Sequence, residues 1–460
     1  MASSIIHHPA SFRDPSGFVF DKNGTIYRAV NQNFKENFDH FIHSGCYEHL
    51  VKKDLLIKHN EIRENLSGHP EYYLTLQPEK IHFITYPYEW SFDMLKDAAL
   101  LTLQLVKESI PYGLILKDAT PYNIQWHNGK LIFIDTLSFE KYKEEPWIAY
   151  RQFCENFLSP LLLMHYAKTP LQEFMLAFPE GIPLNVTKAL LPNRSRYSLH
   201  AYLHIHLHAR LGEKNKGKEQ KTVRLSKPKL FNLIASLESF IQKLRLPAQK
   251  STWSEYYDEA HTPTYLEEKK RMIHQWISAL PNIATAADLG ANTGFFSKLL
   301  AEKNIQTIAT DFDPFCINNL YNEIKTNRLP CIQPVLLDLS NPTPAIGVNN
   351  EERESFIHRC KVDLVLALAV IHHLVIGKNF PFEKAAKLFS QLGQNLIIEF
   401  IPKEDEKIKL MLTTKKDIYQ DYNEANFTQS FEKYFTIKDK QMVKGSHRML
   451  YLMERNATII

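Results

Sequence analysis

From Ala284 onward the chain alternates short apolar runs with longer amphipathic stretches. Runs near 284–289, 306–310, 332–337, 362–368 and 394–400 have strand length and little polar interruption. Strands buried on both faces of a parallel sheet read this way. The stretches between them have helical length and spacing. The pattern predicts an α/β doubly wound sheet, with ligands expected at the carboxyl ends of its strands.

The first half has a different texture. Gly17 to Val30 alternates apolar and polar residues around Asn23-Gly24, a strong hairpin signal because both turn residues must tolerate positive φ. Residues 31–66 mix helix and charge. Lys80 to Pro87 reads as a short strand stopped by a proline. Ser91 to Ser109 places Leu95, Ala98, Ala99, Leu101 and Leu105 at helical spacing and predicts a buried helix. Residues 146–210 look helical and aromatic-rich. Glu213 to Lys229 carries Lys214, Lys216, Lys218, Lys221, Arg224, Lys227 and Lys229 with few apolar residues. It reads as a solvated connector, with a phosphate-binding strip as the alternative. Leu230 to Leu246 is an amphipathic helix ended by Pro247. Thr252 to Tyr265 is dense in aromatics just before a charged helix over 266–280, where either a lid or ordinary helix packing would fit. The expected organisation is an α+β domain over 1–165, a helical region over 166–245 with the basic linker 213–229, and an α/β domain over 250–460.

Composition narrows the class. With 460 residues, 44% hydrophobic and 23% charged, the chain can build more than one globular core. A formal charge of +4 is too small to imply nucleic acid without clustering. The five scattered cysteines include no C-x-x-C pair, so neither a disulfide framework nor a zinc knuckle is expected, and a reducing cytoplasm fits. The first residues lack a basic flank followed by an apolar core, so no secretory signal is read there. No apolar run approaches the ~20 residues that span a bilayer. His200, His204 and His208 share a helical face, but no Cys or Glu completes a metal site. They are read as partly buried or surface residues, and no metal is expected.

The chemistry concentrates in Ala286-Ala-Asp-Leu-Gly-Ala-Asn-Thr-Gly-Phe-Phe-Ser297, a buried strand, a glycine turn and a helix start. Thr307-Ile-Ala-Thr-Asp311 follows as a second strand ending in an acid. A pyrophosphate-binding turn wants G-x-G-x-x-G. Here the middle and last of those positions are Asn292 and Phe295, which argues against a dinucleotide. Asp311 is placed to accept hydrogen bonds from ribose hydroxyls. Asp288 favours an amino group or ordered water near the turn.

These motifs resemble the class I S-adenosylmethionine-dependent methyltransferases over residues of about 252 to 454. Asp288-Leu-Gly-Ala-Asn-Thr-Gly294 resembles the family's first motif, with Asn292 at its central glycine. Asp311-Phe-Asp313 resembles the acidic second motif, and Leu336-Leu-Asp-Leu339 the motif that contacts adenine. Asp363 to Leu374 and Leu396 to Pro402 resemble the fourth and fifth strands. Phe435 to Lys438 and Arg448 to Met453 resemble the closing antiparallel hairpin. The resemblance implies a seven-stranded Rossmann-like sheet and S-adenosyl-L-methionine as cofactor. It implies cofactor contacts from Asp288, Gly290, Asn292, Gly294, Asp311, Asp313, Asp338 and Leu339. Asp313 precedes Pro314, so a helix-start cap is an equal reading. His372 and His373 follow the fourth strand and are the candidates for a general base, and Glu399 ends the fifth. No Asn/Asp-Pro-Pro-Tyr/Phe or Pro-Cys motif follows the fourth strand, which disfavours the usual nucleic-acid methylation chemistries. A small-molecule or glycan-like acceptor, methylated on oxygen or nitrogen, is expected. The whole layout resembles the NoeA-like group of large bacterial methyltransferases.

A second resemblance lies upstream. Asp118 and Asn123 are five apart in Lys117-Asp-Ala-Thr-Pro-Tyr-Asn123, and Asp135 follows Lys130-Leu-Ile-Phe-Ile. This resembles the catalytic loop of the protein-kinase and aminoglycoside-phosphotransferase superfamily, in which an Asp orients the attacking hydroxyl while an Asn and a second Asp hold Mg²⁺. The chain departs from it: there is no Gly-rich phosphate loop near Gly17, and Thr-Leu follows Asp135. A hairpin with turn-capping acids, a degenerate kinase-like module and an active kinase all remain open.

Overall fold

The computed structural model describes residues 5–214, 224–247, 263–413 and 415–457. Residues 252–262 of the aromatic stretch and 215–223 of the basic linker lie outside them. The chain divides into two compact units, Met1–Ala248 with Ile346–Arg353, and Gln249–Ala345 with Glu354–Ile460.

In the first unit, β1 (Ile5–His7), β2 (Gly17–Lys22), β3 (Thr25–Asn31), β4 (His59–Ile62) and β5 (Tyr72–Pro78) form an antiparallel sheet in the order β1-β2-β3-β5-β4. The β2–β3 turn is Asn23-Gly24, at φ 57° and 79°, so both residues hold the left-handed conformation a two-residue hairpin needs. Lys80 to Pro87 is not a strand. Phe83 and Tyr86 are buried, yet the backbone of Thr85 is satisfied by a side chain. The Thr85 N–H donates to Gln125 Oε1 (2.9 Å), and Gln125 Nε2 donates to the Thr85 carbonyl (3.0 Å). Burial supplied the apolar pattern without a ladder, and β5 just upstream makes the sheet pairing.

The helix Phe92–Ser109 begins at its Ser91 cap, whose hydroxyl accepts from the Met94 N–H. Short strands β6 (Leu114–Leu116) and β9 (Phe139–Lys141) pair, as do β7 (Ile124–His127) and β8 (Lys130–Phe133). Proline in its first turn starts the helix Lys227–Lys243, so Lys227 and Lys229 belong to a helix rather than to the connector. That helix packs on Phe92–Ser109 through Lys107–Glu238 (2.9 Å) and Lys96 to the Gln242 carbonyl (3.0 Å). Tyr150 OH lies 2.6 Å from His204 Nδ1, His208 stacks on Tyr150, and His200 stacks on Phe240. Among the described residues no three His, Cys, Asp or Glu side chains are grouped to hold a metal ion. No described helix is long and apolar enough to cross a membrane.

The second unit contains β10 (Thr285–Leu289), β11 (Gln306–Asp311), β12 (Ile332–Leu336), β13 (Val362–Ala367), β14 (Gly393–Phe400), β15 (Phe435–Met442) and β16 (Met449–Arg455). Their order is β12-β11-β10-β13-β14-β16-β15. β10–β14 run parallel, and β16, inserted between β14 and β15, is antiparallel to both of them, so β16 alone is reversed in this sheet. This is the expected doubly wound seven-stranded, Rossmann-like methyltransferase sheet. Met272, Trp276, Phe296 and Leu299 from the helices Pro263–Ala279 and Phe295–Ala301 close one core with Leu364, Leu366, Ile397 and Leu452. Helices Pro314–Asn327 and Phe382–Leu392 pack along β12 and β14. The parallel register sets Thr310 opposite Leu289 and Asp311 opposite Leu336, bringing the strand ends level beside the glycine turn.

Candidate functional site

The turn after β10 places Gly290, Asn292 and Gly294 at φ 74°, 52° and 77°. Three left-handed residues in five explain the local sequence: glycine has no penalty there, and asparagine is the side chain that best tolerates it. Asn292 therefore substitutes for glycine conformationally. The Gly290 and Ala291 N–H groups both donate to the Thr310 carbonyl (2.8 Å each). Asp311 then locks the turn from β11. Its Oδ2 accepts from the Asn292 N–H (2.9 Å) and its Oδ1 from the Asp313 N–H (2.9 Å).

A cavity of about 420 Å³ lies against this turn. Of the residues expected from sequence, Gly290, Asn292, Asp311, Asp338, Leu339 and His373 line it. Burial pushes the Asp311 carboxyl up to about 6, against the backbone N–H groups that favour its charge. Asp338 lies two residues past the end of β12, with Ser340 N–H (2.8 Å) and Ser340 hydroxyl (2.6 Å) on Oδ1 and Lys378 at 3.5 Å from Oδ2.

Four expected residues stand elsewhere. Asp288 is buried below the turn, where it accepts from the Ser297 hydroxyl (2.6 Å), and burial pushes it up to about 6. Gly294 shapes the turn: a Cβ there would sit 2.5 Å from Leu320 Cδ1. Asp313 caps the helix Pro314–Asn327, accepting from the Phe315 (2.8 Å) and Cys316 (3.3 Å) N–H groups. His372 is enclosed, its ring 3.9 Å from that of His373. Burial lowers both imidazoles, His372 well below its ordinary value and His373 to about 4, so both are neutral at neutral pH.

The cavity also takes Tyr265, the last residue of the aromatic stretch, and residues the sequence reading missed. Tyr265 and Lys269 reach it from the helix Pro263–Ala279, Phe312 follows Asp311, and Ala369 follows β13 at φ 54°. A non-glycine residue held at positive φ beside a cavity is backbone strain of the kind that collects at functional sites. Lys269 left one legible signal, a lysine on the apolar stripe that also carries Leu266, Met272, Ile273 and Trp276. Glu399, near the end of β14, is fully buried and receives the Tyr265 hydroxyl and the Lys269 ammonium (2.6 Å). Burial alone would raise its carboxyl, but Lys269 and Arg448 outweigh it and hold it well below the carboxylate range. It is an ion-pair residue, enclosed away from the cavity surface.

In the first unit, the upstream acids do converge. Asn123 Nδ2 donates to Asp118 Oδ2 (3.1 Å) and reaches Asp135 Oδ2 at 3.5 Å, on the wall of a second cavity of about 630 Å³. Asp135 is heavily used already. Its Oδ1 takes Arg28 (2.7 Å) and the Leu137 N–H (3.1 Å), and its Oδ2 the Ser138 hydroxyl (2.5 Å). Burial and the nearby Asp135 both raise Asp118.

No family model matches the chain. It is 34% identical over 459 residues to the nodulation protein NoeA of Rhizobium meliloti (strain 1021), covering 97% of this chain and 95% of that protein. Among solved structures it is similar to a magnesium protoporphyrin IX methyltransferase, ChlM, from Synechocystis PCC 6803 with bound SAH. That match has 19% identity and a TM-score of 0.32, and covers 44% of this chain and 92% of the other. It is also similar to the bifunctional kinase-methyltransferase WbdD, at 18% identity and TM-score 0.33, over 49% of this chain and 47% of that one. The N-methyltransferase NodS from Bradyrhizobium japonicum WM9 is similar at 12% identity and TM-score 0.32, over 42% of this chain and 97% of that one.

Proposed function

The chain belongs to the family of the nodulation protein NoeA, and from that premise we propose that it is an S-adenosyl-L-methionine-dependent methyltransferase. The observation that carries the reading is Asp311, a carboxylate on the cavity wall at the end of β11, tied by backbone N–H groups to the turn that lines the same cavity. Asp311 would hold the ribose hydroxyls, Asp338 and Leu339 the adenine side, and the backbone at Gly290 the methionine side. The cofactor, when bound, supplies an electrophilic methyl group on a sulfonium. The chain's own task is to hold the acceptor in line and to exclude water, which can account for much of the rate. His373, neutral and on the cavity wall, is positioned to take a proton from an acceptor that must lose one. The acceptor we favour is an oxygen or nitrogen of a small molecule or glycan-like product.

Calorimetry with S-adenosylmethionine and S-adenosylhomocysteine tests the reading. Binding that is lost in Asp311→Ala supports it, and absence of binding to the native chain refutes it. Binding without methylation of any acceptor in cell extract supplied with labelled cofactor would mark a regulatory protein instead. A bifunctional kinase–methyltransferase is favoured by one observation, the Asp118–Asn123–Asp135 convergence. ATP·Mg²⁺ binding abolished by Asp135→Ala would support that second activity.

A further inference from the structure

In the first unit, Leu199–Ala201, Tyr202–Leu207 and His208–Lys214 run on as one helix with a π-helical middle. Its inner side packs on the unit: Ala201, His204, Ile205 and Ala209 are buried, with His204 on Tyr150 and His200 on Phe240. Leu199, Leu203 and Leu211 recur at multiples of four, the spacing that keeps helical residues on one side, and all three are exposed. Tyr197, in the turn before the helix, and Leu190, on the helix Leu184–Leu190, are exposed as well. Exposure in this set runs from 42% at Leu203 to 92% at Tyr197. The helix Leu184–Leu190 packs against Tyr202–Leu207, and the Ser195 hydroxyl lies 2.8 Å from His206 Nε2, so these pieces form one patch. Among the described residues, five of the fourteen exposed large hydrophobic side chains fall within 190–211. Exposed apolar side chains scattered singly need no explanation, but a group of them does.

The charge around the patch is one-sided. No acid occurs from 181 to 212, where Lys188, Arg194, Arg196 and Arg210 do. Arg196, Lys188 and Arg210 gather near His206, whose imidazole is lowered first by burial and then by these three cations. Arg196 and Arg210 are exposed. Residues 184–229 carry eleven Lys and Arg against two acids, a net +9, while the whole chain is only +4. The rest of the chain is therefore net negative, and the positive field is local to this segment. A helix with leucines and a tyrosine on its outer side, flanked by arginine and lysine, suits the boundary of a membrane. The apolar side chains enter the acyl region while the cations meet the lipid phosphates. A nucleic acid would satisfy the cations but offer the leucines little apolar surface. A second copy docked through the same face would set one positive segment against another.

We propose that the face formed by the helix Leu184–Leu190, Tyr197 and the outer side of the helix 199–214 docks the protein on an anionic lipid surface. The test is co-sedimentation of the full chain with vesicles of phosphatidylcholine and phosphatidylglycerol at about two to one, beside vesicles of phosphatidylcholine alone. The chain should bind the anionic vesicles, leave the neutral ones, and release as added salt shortens the screening length. Arg196→Gln/Arg210→Gln should weaken binding by roughly 25-fold, about fivefold for each cation at the surface. Leu199→Ser/Leu203→Ser should weaken it by about tenfold or more, because the acyl contact is lost. All four positions are exposed, so both variants should unfold thermally as the native chain does. A native chain that ignores the anionic vesicles overturns the proposal. So does a leucine variant that binds as tightly as the native chain, since the attraction then lies outside this face. A native dimer that the leucine variant converts to monomer, with no vesicle binding by either, gives the face to a second copy and overturns the proposal as well.

Discussion

Replacing Gly294 with alanine perturbs the site at its tightest point. Gly294 sits at φ 77°, and an added Cβ would lie 2.5 Å from Leu320 Cδ1, with two more Leu320 carbons at 3.3 and 3.5 Å. Leu320 is fully buried, so it cannot swing into solvent. The left-handed conformation costs a non-glycine residue about 1–2 kcal/mol. Overpacking a closed core adds about 1–3 kcal/mol. Together these give roughly 2–5 kcal/mol, or a fall of about 1–2.5 M in the urea midpoint for a slope near 2 kcal/mol/M. Hydrogen exchange of peptides from β10 to β13, followed against urea, reads the second unit separately from the first. Asn292→Gly is the matched control: φ there is 52°, which glycine adopts freely, so stability should stay within about 1 kcal/mol. S-adenosylhomocysteine binding should likewise survive the control and fall in Gly294→Ala. A Gly294→Ala chain as stable as the native one, or an Asn292→Gly chain as damaged as Gly294→Ala, would refute the conformational account of this turn.

Three further outcomes follow from the same geometry. Asp311→Asn should weaken S-adenosylhomocysteine by roughly 10- to 100-fold, the worth of hydrogen bonds to a charged group, as titration calorimetry would show. His373→Asn should lower turnover by about two orders of magnitude or more for an acceptor that must lose a proton, with cofactor affinity nearly unchanged. With the His373 ring pushed down to about 4, its titration should leave no limb in the rate profile between pH 6 and 8. Asp288, raised from 3.8 to about 6, is favoured by the fold in its protonated form, so its contribution to stability declines as pH rises through that window. At about 1.4 kcal/mol per unit the change is of order 3 kcal/mol, and urea midpoints taken from pH 4 to 7 should fall less steeply in Asp288→Asn.

Legibility in the sequence differed sharply between elements. The strands of the second unit could be read almost to the residue because burial on both faces leaves uninterrupted apolar runs, and a glycine turn or an acid punctuates their ends. Lys80 to Pro87 misled because its apolar residues are buried without a ladder, and the partner for Thr85 is a side chain forty positions away. The acids were legible as a set but not by role. Asp288, Asp311 and Asp313 all sit near the turn, yet only Asp311 reaches the cavity, while one of its neighbours bonds to Ser297 and the other caps a helix. Nothing in the spacing of Lys269 and Glu399, 130 residues apart, announced that they form a buried pair.

The sequence by itself determined the parallel sheet, the glycine turn after its first strand, and the acid at the end of β11. These follow from local periodicity and from the conformations single residues can adopt. Only the tertiary structure decided which acids face the cavity, that β16 lies between β14 and β15, and that a lysine from a preceding helix lines the same space. Those outcomes depend on which distant segments exclude water from one another, and no local pattern along the chain encodes that.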